Sequence, residues 1–121
     1  MKVIIDLIED MREQIPKGED FVLVAMLLKE DSQDPKRLIY SGEAPIGAFQ
    51  IDHKAKQLIL AVDPTREGLG VEDLAKHLLI LGMKEMMYEV RIAPSPKHPT
   101  QEVVGFGLDS ETGKYGLFIM A

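Results

Sequence analysis

The side chains able to carry chemistry in this chain are few, and their spacing forms no catalytic pattern. The three histidines, His53, His77 and His98, titrate near neutral pH, so each is a candidate general base. No two have the His-x-x-x-His spacing of a helical metal site, and the chain has no cysteine. Thiol catalysis, disulfide scaffolding and cysteine-based zinc sites are therefore excluded. Ser41 sits beside Gly42 in Ser41-Gly42-Glu43-Ala44-Pro45, without the Gly-x-Ser-x-Gly elbow that activates a serine. No catalytic residue is assigned, and no motif calls for a metal ion or a cofactor. Were the chain to hold a small molecule, its polar handles would be His53, Arg66, Arg91 and Ser41, with Arg37 as a further cation.

Other chemical signals have structural readings. Gly68-Leu69-Gly70 leads into a helix, where backbone N–H groups attract anions. The P-loop and dinucleotide patterns are missing, and Glu67, Glu72 and Asp73 already satisfy the helix dipole. The pairs Glu9-Asp10, Glu19-Asp20, Glu30-Asp31 and Glu72-Asp73 suggest paired carboxylates. Adjacent residues point to different sides of a helix or strand, so these read as solvated surface charges. Met83, Met86 and Met87 cluster after the second helix; core packing is the first reading, and an adaptable binding rim the second.

The elements that position these residues follow from hydrophobic periodicity. Residues 3–15 read as a helix, with Ile4, Ile8, Met11 and Ile15 in its stripe, ended by Pro16-Lys17-Gly18. Phe21–Leu28 is an unbroken apolar strand. Arg37–Ser41 is a short strand, and Ser41–Pro45 a bend. Val71, Leu74, Ala75, Leu78 and Leu81 predict a second helix, starting after Gly70 or at Asp63. Tyr88–Ile92 alternates as a strand, and Pro94–Pro99 is a loop.

Two segments announce hairpins. Phe49-Gln50-Ile51-Asp52 is followed by a polar turn and Lys56–Leu60; Phe106-Gly107-Leu108-Asp109 is followed by Ser110–Gly113 and Lys114–Ile119, running on to the last residue. Each pairs apolar runs across a turn led by an Asp whose carboxylate can accept the following N–H groups. Gly113 is expected at positive φ. A duplicated unit of one helix and three strands is one reading of this order; the two segments lie 57 residues apart, an offset that the helices and first strands do not share, so common turn chemistry is the favoured reading. The whole predicts a single α+β domain over 1–121: two helices packed on a mainly antiparallel, meandering sheet of five to seven strands.

Composition narrows the function classes. The formal net charge of −6 is spread along the chain, which disfavours nucleic acid. No run approaches the ~18 apolar residues of a membrane span, so no membrane partner is expected. The acids near the start are unlike a signal peptide, and a cytoplasmic location is the expectation.

The strand pattern gives the strongest physical inference. A sheet wetted on one face alternates apolar and polar residues. Phe21–Leu28 does not, and Leu58–Val62 and Leu117–Met120 barely do. Alternate residues of the first strand face opposite ways: Phe21, Leu23, Ala25 and Leu27 one way, Val22, Val24, Met26 and Leu28 the other. Two helices cover one face, so the other needs either the sheet curling over itself or a second copy of the chain; a homodimer is expected. No motif identifies a family. The order helix–strands–helix–strands and the acidic charge are similar to those of small dimeric bacterial secretion chaperones, a likeness of topology that lacks their final helix. Two functions remain: a small non-enzymatic protein-interaction or regulatory protein acting as a homodimer, or a small-molecule-binding protein or enzyme with a pocket between helix and sheet.

Overall fold

A computed structural model describes residues 1–120. The elements are α1 (Ile4–Gln14), β1 (Val22–Glu30), β2 (Leu38–Asp52), β3 (Gln57–Val62), α2 (Val71–Leu78), β4 (Glu89–Ala93), β5 (Gln101–Glu102), β6 (Gly105–Asp109) and β7 (Lys114–Met120), with a 3-10 turn at Glu85–Met87 before β4. The second hairpin is described to Met120; Ala121 lies outside the described residues. The α+β class is as expected: two helices and a seven-stranded, mostly antiparallel sheet, ordered β5-β4-β3-β2-β1-β7-β6. The meander is interrupted by two parallel pairs, β3 with β4 and β1 with β7. No helix among the described residues is long and apolar enough to cross a membrane.

The sheet curls until its two edges belong to one stretch of chain. Gln101 and Glu102 pair with β4, and after a break at Val103-Val104 the same segment pairs with β7 from Gly105 to Asp109. Val104 N–H donates to Phe118 O at 2.8 Å. The concave side holds the core. Ile4, Leu7, Ile8 and Met11 of α1 and Val71, Leu74 and Leu78 of α2 pack against Leu23, Ala25, Leu58, Leu60, Val90, Ile92, Leu117 and Ile119. Burying each large apolar side chain is worth roughly 1.5–3 kcal/mol, so the helical stripes bind the helices to the sheet.

An internal repeat organises this architecture. In the first half α1 leads to β1, which pairs antiparallel with β2, which turns into β3; in the second, α2 leads to β4, which pairs antiparallel with β5, whose continuation β6 turns into β7. The parallel pairs join the halves, β4 to β3 and β1 to β7. Val3, before α1, bridges Glu89, and Gly70, before α2, bridges Val22. The hydrogen bonds around the bridges match: Ile4 N to Tyr88 O and Val90 N to Lys2 O in one, Val71 N to Phe21 O and Leu23 N to Leu69 O in the other. The spacing from Ile4 to Val71 is 67 residues, as it is from Val22 to Glu89. The hairpins alone keep the shorter offset of 57, so their likeness is part of a repeat that a single offset concealed. The turns agree in detail. Asp52 Oδ1 accepts the N–H groups of Lys54 and Ala55, and Asp109 Oδ1 those of Glu111 and Thr112. The equivalent last turn residues, Lys56 and Gly113, have φ of 57° and 71°.

Other expectations need correction. Ser41–Pro45 is no bend between strands; β2 runs through it and absorbs the curvature in two irregularities, one opposite Leu27-Leu28 and one between Ile46 and Ala48. Gly47 sits at the second, where a Cβ would lie 2.6 Å from that of Asp63. Helix α2 stops at Leu78 rather than reaching Leu81. On β1 the two faces separate as expected, Leu23 and Ala25 toward the helices. Val24 and Met26 on the outer face are nevertheless only 4% and 9% exposed within the single chain, while Val22 at the strand start is open at 37%.

The paired turns make a direct stability comparison. Gly113→Ala is expected to cost about 1 kcal/mol, because an L side chain is strained at positive φ. Lys56→Gly removes that strain and is expected to stabilise by about 0.5–1 kcal/mol. Urea denaturation of the two variants checks both signs; loss of stability in Lys56→Gly would refute strain at the first turn.

Candidate functional site

The four candidate handles are held apart by the fold. His53, in the first hairpin turn, places Nδ1 3.2 Å from the Tyr88 hydroxyl, with the rings edge to face. Arg66 pairs with Asp63 at 3.2 Å in an exposed turn. Arg91 on β4 is fully engaged: Nη1 bonds Glu89 at 2.7 Å, Nε the Thr100 hydroxyl at 2.8 Å and Nη2 the Thr100 carbonyl at 2.9 Å. Its guanidinium pins the Pro-rich loop to the sheet. The Ser41 hydroxyl donates to Leu27 O at 3.1 Å, which satisfies a carbonyl at the strand irregularity. Arg37 lies just before β2, where its backbone closes the loop onto Asp31 and Asp34.

The remaining histidines are similarly employed. His77 Nδ1 lies 2.8 Å from Asp73 O, one helical turn back, and its ring meets the edge of Phe49. His98 bonds the Ser95 hydroxyl within the loop. The Gly68–Gly70 lead into α2 behaves as a packing device. A Cβ at Gly68 would lie 2.5 Å from Leu23 O, and the first turn of α2 is occupied by Asp20, whose Oδ1 accepts Glu72 N–H at 3.0 Å. Among the described residues no group of three His, Asp or Glu is placed to hold a metal ion.

A polar cluster does converge where sequence spacing gave no signal. On the convex face, Glu43 of β2 and Lys114 of β7 form an ion pair that passes over β1 and roofs Val24. Tyr40 stands beside them. Its phenol is raised above its ordinary value by partial desolvation, then by its hydrogen bond to Glu43. The Glu43 carboxylate holds Lys114 above its usual value. Asp109, one turn away, is lowered by the Thr112 hydroxyl and then the Thr112 N–H. These groups border a cleft of about 480 Å³ floored by Met26 and Phe118. The floor exists because its neighbours are glycines: a Cβ at Gly107 would lie 2.8 Å from the Phe118 ring, and one at Gly116 2.4 Å from Met26 Sδ.

Cross-strand register shows how apolar this face is. Leu28 lies between Tyr40 and Met120, Met26 between Glu43 and Phe118, Val24 between Pro45 and Gly116. Leu38 continues the surface beyond Tyr40, and both are about half exposed. The repeat-related convex face, on β3 and β4, has a different character. At the repeat-equivalent positions, Val22 and Val24 become the paired Glu89 and Arg91, Met26 becomes Ala93, and Phe118 becomes Ala61.

Two acids read as surface charges are structural. Asp20 caps α2, and Asp10 on α1 accepts the Tyr115 hydroxyl. Tyr115 is fully buried on β7, and burial first, then Asp10, pushes its phenol far above the ordinary 10.0. Neither contact is visible in local spacing, since the partners are 52 and 105 residues apart.

The buried phenol has a pH signature. A folded-state pKa above the unfolded one gives stability that is complete below about pH 10 and falls as pH rises, by at most about 1.4 kcal/mol per pH unit. Urea titrations between about pH 9 and 11.5 are therefore expected to show a steeper loss for the wild type than for Tyr115→Phe. Equal slopes would refute the perturbed phenol. Comparison of the chain with protein-family models, with characterised proteins and with solved structures finds no match.

Proposed function

We propose that this protein is a non-enzymatic interaction protein that acts as a homodimer, mating through the convex face of β1, β2 and β7. One observation carries the reading: the two repeat-related sheet faces share a backbone, yet the β1–β7 face carries Val22, Val24, Met26 and Phe118 where the β3–β4 face carries the Glu89–Arg91 ion pair and two alanines, Ala93 and Ala61. The architecture therefore does not require large apolar residues there. Tyr40, Leu38, Leu28 and Met120 extend that surface to solvent. A two-fold interface must be complementary to itself. The Glu43–Lys114 pair supplies both signs of charge side by side on this face, so each copy can offer the other a matching partner. The candidate chemical groups are each committed to local structure, which supports binding over catalysis.

The glycine-floored cleft favours a second reading. With Tyr40, Lys114 and Thr112 at its rim and Phe118 beneath, it has the apolar floor and sparse polar groups of a small-molecule site.

Sedimentation equilibrium at micromolar concentration is expected to give a dimer mass. Tyr40→Asp, at a half-exposed position, is expected to weaken the dimer by about 2–4 kcal/mol through a desolvated, unpaired carboxylate, while leaving the monomer folded. A clean wild-type monomer would overturn the dimer and transfer the face to the small-molecule reading, which thermal-shift screening of metabolites then tests.

A further inference from the structure

The connection from α2 to β4 exposes more apolar surface than any turn needs. Ile80 is 82% exposed and Met83 90%, and Leu79 and Met87 are each more than half exposed. Yet this is an ordered turn: Leu81 N bonds Leu78 O, Met86 N bonds Gly82 O, and Tyr88 N bonds Glu85 O. Leu81 and Met86 turn inward against the core and account for its packing. The repeat supplies an internal control. At the repeat-equivalent positions, the end of α1 and the connection that follows it put Arg12, Glu13, Pro16 and Asp20 where this segment puts Leu79, Ile80, Met83 and Met87, and those four are also exposed. The repeat-equivalent positions are thus served by polar residues or proline, and exposure at these positions does not call for apolar side chains.

The charges around the knuckle state what would cover it. Lys84 and Lys56 border a cleft of about 390 Å³ with Met87 and Tyr88, and the His53–Tyr88 contact orients the phenol. Among the described residues neither lysine is in an ion pair. The one nearby acid of the turn, Glu85, folds back over Gly82. This is a cationic rim on a chain of net charge −6. A second copy seated two-fold here would set lysine against lysine, so the knuckle is not the dimer face. An anionic bilayer would face the whole acidic molecule, whereas a short acidic segment meets only the lysine-rimmed patch. Methionines suit such a partner, because their unbranched side chains repack against varied apolar shapes.

We infer that the Leu79–Met87 knuckle is a docking surface for an acidic amphipathic segment of a partner polypeptide, with its apolar anchors on Ile80, Met83 and Met87 and its carboxylates on Lys84 and Lys56. The inference rests on the reading of this protein as an interaction module but not on its dimeric state.

The test is fluorescence anisotropy with a short labelled helical peptide carrying leucines at i, i+3, i+4 and i+7 and glutamates elsewhere. A twin peptide with lysines replacing the glutamates, and vesicles rich in phosphatidylglycerol, are measured beside it. The acidic peptide is expected to bind at least about tenfold more tightly than its basic twin, and more weakly as salt rises. Met83→Ser and Lys84→Glu are each expected to weaken it by about tenfold or more, while Lys36→Glu, in the β1–β2 loop, leaves it unchanged. Equal binding of the two peptides, no binding of the acidic one, or insensitivity to both knuckle variants would overturn the inference. So would vesicle binding that Met83→Ser abolishes, which would assign the knuckle to a membrane. Because binding is read on the wild type whatever its mass, a monomer in the centrifuge and a failed peptide titration are distinct results.

Discussion

Two reciprocal backbone bridges hold this protein together, and the rest of the structure depends on them. The residue before each helix pairs with the first strand of the opposite half, Val3 with Glu89 and Gly70 with Val22. Each bridge fixes where a helix enters, and so which stripe of that helix meets the sheet. An exposed pair of backbone hydrogen bonds would contribute little, but these lie at the mouth of the core, where an unpaired N–H or C=O is costly. Glycine serves one bridge because Asp20 packs against it: a Cβ on Gly70 would lie 2.7 Å from Asp20 Oδ2. The other bridge tolerates Val3, whose N–H is taken by Asp6 at 2.9 Å.

From that constraint follows the curl. Each half contributes a helix, a strand and a hairpin, and each half's strand is parallel to the other half's hairpin. The segment Gln101–Asp109 completes the circuit by pairing with β4 at one end and β7 at the other. Closure removes most of the edge-strand surface that invites unwanted pairing. It also meets part of the demand for cover, since Val24 and Met26 are roofed within one chain by the Lys114 and Phe118 side chains and their partners. What remains open is a rim, and the rim is where the two halves diverge.

That divergence is the most informative feature for function. A repeat provides two samples of a related backbone, so an exposed apolar residue whose counterpart is polar is not required by the shared architecture. The same comparison separates the convex face of β1 and β7 from that of β3 and β4, and the Leu79–Met87 knuckle from its polar counterpart. The interaction reading arises from these two contrasts rather than from any single side chain. The buried Tyr115–Asp10 contact has no counterpart contact in the other half, and its place between β7 and α1 is one of packing.

Local sequence determined the element types. The stripes of Ile4, Leu7, Ile8 and Met11 and of Val71, Leu74 and Leu78 set helices, and Asp-led turns set both hairpins, because helical period and turn chemistry are properties of neighbouring residues. The positive φ of Gly113 was legible for the same reason; that of Lys56 was not, since nothing in a lysine announces it. Sequence also determined the separation of the two faces of β1, which follows from a period of two. Only the tertiary structure decided the strand order, the two parallel pairs and the continuity of β2 through Ser41–Pro45, because pairing across the sheet joins residues that no local pattern links. It likewise decided the surface chemistry: the Glu43–Lys114 pair spans 71 residues, the Arg91 guanidinium is consumed by Glu89 and Thr100, and the methionines that read as core divide into Met86 inside and Met83 and Met87 outside. Periodicity tells which residues are apolar, but which of them find cover is settled by the neighbours that folding brings to them.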